Sequence, residues 1–545
     1  MKPLSDKKLH TGILIGAIIL VLAALAFKTV IAFDPDEQYA FSMMYRFAGK
    51  ERYLIDLFDA YQFSALFVCP LYAFAAFLQT QFGFNPVFSM RIFSALLSAV
   101  LNFRMYRFVR RKTGDRLAAV LSWLCILTAL PKSILTLEHS NLALIGLSWL
   151  FIDLCEIRTA RYPGLRLGID CSLLSLVYPP LVLLYIPLVI ILFRSAPRPA
   201  LSSFLFASIV ILVLVLFPVI VNTGISGAIR SIQMVLLDGS HVFSLTERLH
   251  VFLKDVLYLC KYLAVYLLLY GAAAAGKRIA KLKTITDEMI LVSVPFLFAV
   301  IQFVFRPTSP MAGNGRYLLL MIWCAVLAKK DRSAPGLKTG IMIQLAACLL
   351  IYLTSNTNLV SASGYMMCSI IIYVLLKQPE MTQRKFPACF LFLVLFSQCI
   401  SMIFTYRTYG TIEHHILQLD LKQDNQVLNG LWYRNDAVDF FQELSSRKDR
   451  FTSDALISSS IFNYSYAVAE KQPAAPVTAA TLVYNEQWER YLEQCPFESI
   501  DVIIGKEDDD SVDSDDLLEL MNMHYEKEAE QEFNTFTHYR FIRRQ

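Results

Sequence analysis

Asp34, Asp36 and Glu37 crowd into the stretch Asp34-Pro35-Asp36-Glu37-Gln38-Tyr39, directly after the apolar segment Thr11 to Phe33. Carboxylates so close together can take a proton from a hydroxyl or hold a divalent cation. They can also be ordinary turn residues, or the first turn of a helix whose dipole they suit. The rest of the chain bears on that choice.

More polar groups fall between apolar segments on what charge placement makes the same side. Asp56, Asp59 and Gln62 follow in the same loop, and Lys132, Glu138, His139, Ser140 and Asn141 come after a later segment. Tyr178, then Arg230, Asp238 and His241, then Arg306, Asn314, Arg316 and Tyr317, and finally Ser355, Asn356 and Asn358 complete the set. Carboxylates beside membrane-level arginines suit one reaction in particular. A donor lipid presents a phosphate at the surface, arginine or lysine holds it as a leaving group, and a carboxylate deprotonates the acceptor hydroxyl. Arg306 and Arg316 are the candidates for the phosphate by side and depth. Arg316 equally suits an anchor at the headgroups, and His139 and His241 equally suit structural roles.

The elements that must position these groups are membrane helices. The 545 residues are 56% hydrophobic and 17% charged, with mean hydropathy +0.49. Apolar runs long enough to cross a bilayer, roughly 20 residues, recur up to about position 405. The Thr11–Phe33 run has no small-residue cleavage site before Asp34 and reads as a retained helix. The basic clusters, such as Arg104–Arg116 and Lys277–Lys283, each flank an apolar run. They therefore mark cytoplasmic ends and argue against nucleic acid as a partner. Most of the 11 cysteines lie in apolar segments and imply no disulfide framework or zinc site.

Charge placement sets a topology. A basic N terminus is cytoplasmic, so the first span delivers Asp34–Glu37 to the outer face. If Phe63–Phe84 crossed, the next span would put Arg104 to Lys112 outside. That segment therefore reads as a juxtamembrane helix, and 34–86 as one external loop. Spans are expected near Val87–Val109, Leu117–Leu137, Asn141–Ile157, Leu167–Tyr178, Pro180–Phe193, Leu201–Asn222, Val251–Ala275, Ile285–Phe305, Arg316–Leu327, Gly340–Thr354, Ser361–Leu376 and Phe386–Tyr406. With the first, these make a polytopic all-α bundle of about thirteen transmembrane helices over 1–406. An odd count leaves 407–545 outside as a small α/β domain, with a helix at Asp436–Leu444 and strands at Ala455–Ser460 and Ser499–Ile504.

This pattern resembles the GT-C superfamily of integral-membrane glycosyltransferases, in particular bacterial relatives of the protein mannosyltransferases and the aminoarabinose transferase. Asp36-Glu37-Gln38-Tyr39 stands where those have an Asp-Glu-x-Tyr type motif. Met44-Tyr45-Arg46-Phe47-Ala48-Gly49-Lys50, Leu54-Ile55-Asp56 and Asp59-Ala60-Tyr61-Gln62-Phe63-Ser64 look like the rest of their first external loop. Met90-Arg91-Ile92-Phe93-Ser94-Ala95 is similar to the start of their second span. Asp238-Gly239-Ser240-His241 departs from an expected Asp-Pro-x-His.

The resemblance implies an inverting transfer of a sugar from a polyprenyl-phosphate donor to a glycan, lipid or protein acceptor, at the outer face of a bacterial plasma membrane. It implies Asp36 as base and Glu37 as its helper or as a metal ligand, a divalent cation such as Mg or Mn being an option in the superfamily. Two other readings stay open: a non-catalytic or transport protein for lipid-linked glycans, and an oligosaccharide polymerase or ligase. A transporter would need ionisable groups near mid-membrane. The expected spans hold few, namely Lys28, Asp153 and Lys261, each near an end or able to snorkel.

Overall fold

The computed structural model describes residues 6–30, 35–131, 134–195, 198–237, 245–282, 285, 289–290, 293–294, 335–355, 359–376, 386–404, 427–428, 430–431, 435–460, 462–478, 486–506 and 514–544. The expected spans Ile285–Phe305 and Arg316–Leu327 lie largely or wholly outside them, as does the expected boundary at 406.

The long apolar helices are α1 (Asp6–Val30), α3 (Gln62–Phe82), α4 (Pro86–Thr113), α9 (Arg198–Leu236), α10 (Leu245–Ile279) and α11 (Pro335–Leu353). Among the described residues, six helices are long and apolar enough to cross a membrane, and five shorter apolar helices accompany them. The shorter ones include α5 (Arg116–Leu127), α6 (His139–Cys155), α12 (Met367–Leu376) and α13 (Phe386–Phe404). Between α6 and α9 run α7 (Pro163–Val177), a 3-10 turn Pro179–Leu184 and α8 (Tyr185–Ser195). This is a helical membrane protein.

Local chemistry sets most boundaries. Asn85 caps α4 by accepting the Phe88 N–H at 2.9 Å, with Pro86 at the first helical position, and Gly114 ends the helix in the left-handed region. Asp115 then caps α5. That helix stops at Leu127, well short of the expected Leu137. Its 12 residues rise only about 18 Å. Residues 128–131 and 134–137 are not helical, and Glu138 caps α6.

The bundle core is apolar, built by α4, α5, α6, α7, α11 and α12 among others. Two glycines let α7 and α9 touch backbone to backbone. A Cβ on Gly164 would sit 1.7 Å from the Ala200 carbonyl oxygen, and one on Gly168 would sit 2.5 Å from that of Phe204. Four residues apart, they form the small-residue stripe by which membrane helices approach closely. Charged groups gather at the end of the bundle that carries the basic clusters. Asp153 pairs with Arg104 and Arg166, Asp170 with Arg104 at 3.1 Å, and Glu156 with Arg111 at 2.9 Å. Asp153 is thus buried and paired, not snorkelling.

The C-terminal part holds α14 (Asn435–Ser446), β1 (Ala455–Ser459), α15 (Ser465–Ala469), β2 (Gln472–Pro473), α16 (Glu486–Gln494), β3 (Ser499–Gly505), α17 (Ser514–His524), β4 (Tyr525–Glu532) and β5 (Phe536–Arg543). The sheet order is β2-β1-β3-β5-β4, parallel across β2, β1 and β3 and antiparallel from β3 to β4. The expected helix and both expected strands are present within a residue or two. Strands β4 and β5 carry no such local signal. β4 is Tyr-Glu-Lys-Glu-Ala-Glu-Gln-Glu, an edge strand whose charges discourage further pairing and hide its period.

This unit is clamped to α2 (Pro35–Ala48). Ser42 donates to the Asn463 carbonyl, Arg46 Nη2 to the Ala475 carbonyl at 2.6 Å, and the Phe58 N–H to the Pro476 carbonyl at 2.9 Å. The Phe41 and Tyr464 rings meet edge to face, 5.1 Å apart. At α9, Gln487 Nε2 donates to the Met234 carbonyl at 2.8 Å.

Candidate active site

Helix α2 begins with Pro35, so Asp36 and Glu37 occupy its first turn, where the helix dipole favours negative charge. The two side chains then part company. Glu37 is buried, 1% exposed, whereas Asp36 is half-buried. Arg91 of α4 grips Glu37 with a fork, Nε to Oε1 at 2.9 Å and Nη2 to Oε2 at 2.7 Å. Its Nη1 donates to the Thr29 carbonyl of α1 at 2.8 Å. The Thr136 hydroxyl adds a bond to Glu37 Oε1 at 2.5 Å. Burial pushes the Glu37 carboxyl upward, but Arg91, Thr136 and the Lys28 charge outweigh it and hold the group below its ordinary range. Lys28 is itself buried, not snorkelling.

A second set of predicted residues packs behind this pair. Asp59 accepts from the Tyr39 hydroxyl and from the Tyr61 N–H at 3.0 Å. Gln62 staples the loop, taking the Leu54 N–H at 2.9 Å and donating to the Asp59 carbonyl at 2.9 Å. Tyr61 stacks on His139 with centroids 4.1 Å apart, and Tyr178 lies 5.3 Å from the Tyr61 ring. His139 Nδ1 is 3.0 Å from Glu138 Oε2. Glu138 caps α6 by accepting from the N–H groups of Ser140 and Asn141 at 2.7 and 2.8 Å. Asn141 Nδ2 donates to the Ile134 and Thr136 carbonyls at 3.0 and 2.8 Å. Burial, with Tyr178 adding to it, pushes the Tyr61 hydroxyl well above its ordinary value, which keeps it a donor.

Glu37, Asp59, Gln62, His139 and Asn141 are therefore brought together across the seam between the first loop and the start of α6. Their hydrogen bonds run to nearby backbone, to the Tyr39 and Thr136 hydroxyls and to Arg91, an arrangement that fixes geometry. Asp56 stands apart, in a bidentate pair with Arg52 at 2.9 and 3.0 Å. Asp34, Lys132, Asp238, His241, Arg306 and Arg316 lie outside the described residues. In the sequence Arg91 stood out only within the stretch similar to the start of a second span, and nothing there marked it, Thr136 or Lys28 as partners of Glu37. An arginine and a lysine in otherwise apolar segments on both sides of an acidic pair were the available signal.

A divalent cation fits this donor set poorly. Both Glu37 oxygens are held by a guanidinium, and Lys28 adds a second positive charge nearby. Among the described residues no group of three or more His, Cys, Asp or Glu side chains could hold a metal ion.

No protein-family model and no curated protein matches the chain. Solved structures with a similar layout include an oligosaccharyltransferase of Archaeoglobus fulgidus tethered with an acceptor peptide, at TM-score 0.43 and 12% identity over 91% of this chain and 69% of that one. ArnT from Cupriavidus metallidurans bound to undecaprenyl phosphate is similar at TM-score 0.36 and 10% identity over 98% of each chain. The archaeal oligosaccharyltransferase AglB with an inhibitory peptide and a dolichol-phosphate matches at TM-score 0.43 and 12% identity, over 92% of this chain and 70% of that one. With scores this low, the functional reading rests on the site itself.

Proposed function

We propose that this protein transfers a sugar from a polyprenyl-phosphate-linked donor to a hydroxyl of a glycan, lipid or protein acceptor at the outer face of a bacterial plasma membrane, as a GT-C type glycosyltransferase. The observation that carries the reading is the division of labour in the first turn of α2. Glu37 is locked onto Arg91 and positions the turn, while the adjacent Asp36 is half-buried on a helix end that favours its ionised form.

In this scheme Asp36 takes the acceptor proton as the acceptor atom attacks the sugar's anomeric carbon. The bond from that carbon to the phosphate oxygen breaks, and polyprenyl phosphate leaves with the electron pair, inverting the anomeric centre. Arg306 and Arg316 are proposed to hold the departing phosphate. The same reading proposes about thirteen crossings, an N terminus inside and residues 407–545 outside.

The test is sugar transfer in membranes carrying the Asp36→Asn variant, with a radiolabelled polyprenyl-phosphate sugar as donor. Loss of a general base predicts a fall of roughly 100-fold or more at unchanged protein level. Unchanged transfer would sink the assignment.

A further inference from the structure

A cleft of about 480 Å³ opens at the far end of α2, between the first loop, the outer piece of α9 and the C-terminal sheet unit. Its lining includes Lys50, Glu51, Asp56, Arg230, Arg490 and Gln494. It lies roughly 20 Å from Asp36 by the rise of the helix between them. Its chemistry is independent of any role for Asp36.

The charges in this cleft do not balance. Its carboxylates are already committed: Glu51 to Arg46 at 2.7 Å and Asp56 to Arg52 at 2.9 Å. Arg490 is paired with Glu486. Lys50 and Arg230 are left, and among the described residues neither has a carboxylate within ion-pair distance. Arg230 instead meets the Gln494 amide, whose oxygen, when turned toward it, accepts from Nη1 at 3.0 Å and from Nη2. Lys50 is held at φ 73° by the turn that ends α2, a conformation a lysine adopts at some cost. Two unneutralised cations, one a planar fork and one a point charge, face a shared cavity.

The floor of the cleft says where it sits. Helix α9 breaks at Gly224, with φ 72° and ψ 175°, and residues 225–236 continue as a separate piece. On that piece Ile225, Ile229, Ile232 and Leu236 are exposed, at 70%, 54%, 41% and 75%, while Ala228, Ser231 and Met234 are buried. The spacing of four, three and four makes one apolar stripe. An amphipathic piece of this kind lies in the headgroup layer with its stripe toward the acyl chains. Arg230 is on the same piece, and such a position would set its guanidinium among the headgroups.

We propose that this cleft is a second ligand site, which binds a phosphate group through Arg230 and Lys50. Arginine matches phosphate oxygens in a bidentate fork, and lysine adds charge without fixed geometry. The phosphate could be carried by an anionic lipid headgroup or be free in solution, and the experiment separates the two.

Full-length protein in detergent is titrated with short-chain phosphatidylglycerol, with inorganic phosphate and with short-chain phosphatidylcholine, following binding by intrinsic fluorescence and native mass spectrometry. The variants are Arg230→Gln, Lys50→Asn and the double change. Asparagine is chosen because it tolerates the left-handed backbone. Each single change is expected to weaken phosphatidylglycerol binding about fivefold and the double change about 25-fold at low salt, with phosphatidylcholine unaffected. Added salt should weaken the wild type more than the double variant. Tight phosphatidylglycerol with weak inorganic phosphate assigns the headgroup, and equal affinity for both assigns free phosphate. Binding of neither, or equal binding by the wild type and a double variant that melts at the same temperature, overturns the site.

Discussion

Arg91 and Glu37 form a two-toothed ion pair across 54 positions of sequence, joining α4 to the first turn of α2 with both partners at most 1% exposed. Removing one partner strands the other's charge in the interior, which costs on the order of 3–5 kcal/mol. Glu37→Gln and Arg91→Met should each lower the melting temperature sharply, and Glu37→Gln/Arg91→Met should cost less than the sum of the two. Because the folded Glu37 pKa lies below its ordinary value of 4.5, its stabilisation is complete above that value. It is lost as pH falls through the lower folded value. Thermal melts against pH should show that acid limb in the wild type and a shallower one in Glu37→Gln. Identical limbs would mean that the pair contributes nothing to stability.

Arg46 plays the matching part at the other end of α2. It is buried, pairs with Glu51 at 2.7 Å and donates to the Ala475 carbonyl at 2.6 Å. Arg46→Met should loosen the C-terminal unit from the bundle, at a cost on the order of 3–5 kcal/mol. Limited trypsin digestion of the full-length protein should then release a C-terminal fragment faster. Lys448→Met, which removes only the exposed pair with Glu470, serves as the control and should shift stability by less than about 1 kcal/mol.

How much of this could be read from the sequence depended on whether the signal was local. Apolar runs, helix caps and β-branched strands announce themselves over ten residues, so α4, α6, α13, α14, β1 and β3 stand close to where they were expected. Helix α5 did not, because the apolar run continues past Leu127 while the backbone turns at Thr128 to present Thr136 to Glu37. The acidic pair was visible as a pair, yet nothing local distinguishes Asp36 from Glu37. That difference comes from Arg91, Lys28 and Thr136, which meet Glu37 only in three dimensions. Likewise His139 and Asn141 were legible as polar groups on the same side as Glu37, but their engagement with Glu138, Tyr61 and the loop backbone comes from packing alone.

The contact between α7 and α9 makes a steric prediction. Gly164→Ala would place a methyl group on the Ala200 carbonyl, both held in helix backbone, so the helices must separate. A cost of about 1–3 kcal/mol is expected. Gly271→Ala has nothing within 4 Å of its new methyl group and should be neutral or slightly stabilising. Melting curves of the two variants in the same detergent check the contrast, and equal curves would mean that the helices do not touch at Gly164.

Helix α3 decides the topology of everything after it. By length and composition it could cross a bilayer. It turns Phe63, Ala65, Val68, Tyr72 and Ala75 inward and leaves Phe67, Phe74, Phe77 and Phe82 exposed, a face that suits a helix lying along the interface as well as one crossing it. The basic last turn of α4, with Arg110, Arg111 and Lys112, favours the first, because with a cytoplasmic N terminus a crossing α3 would carry that turn outside. A topology reporter inserted after Asn85 is expected to read external, and one after Gly114 cytoplasmic. The opposite pair of readings would place Asp36 and the Arg110 turn on one side of the membrane. It would overturn the proposed layout, in which the acidic first turn of α2 and the basic end of α4 face opposite sides.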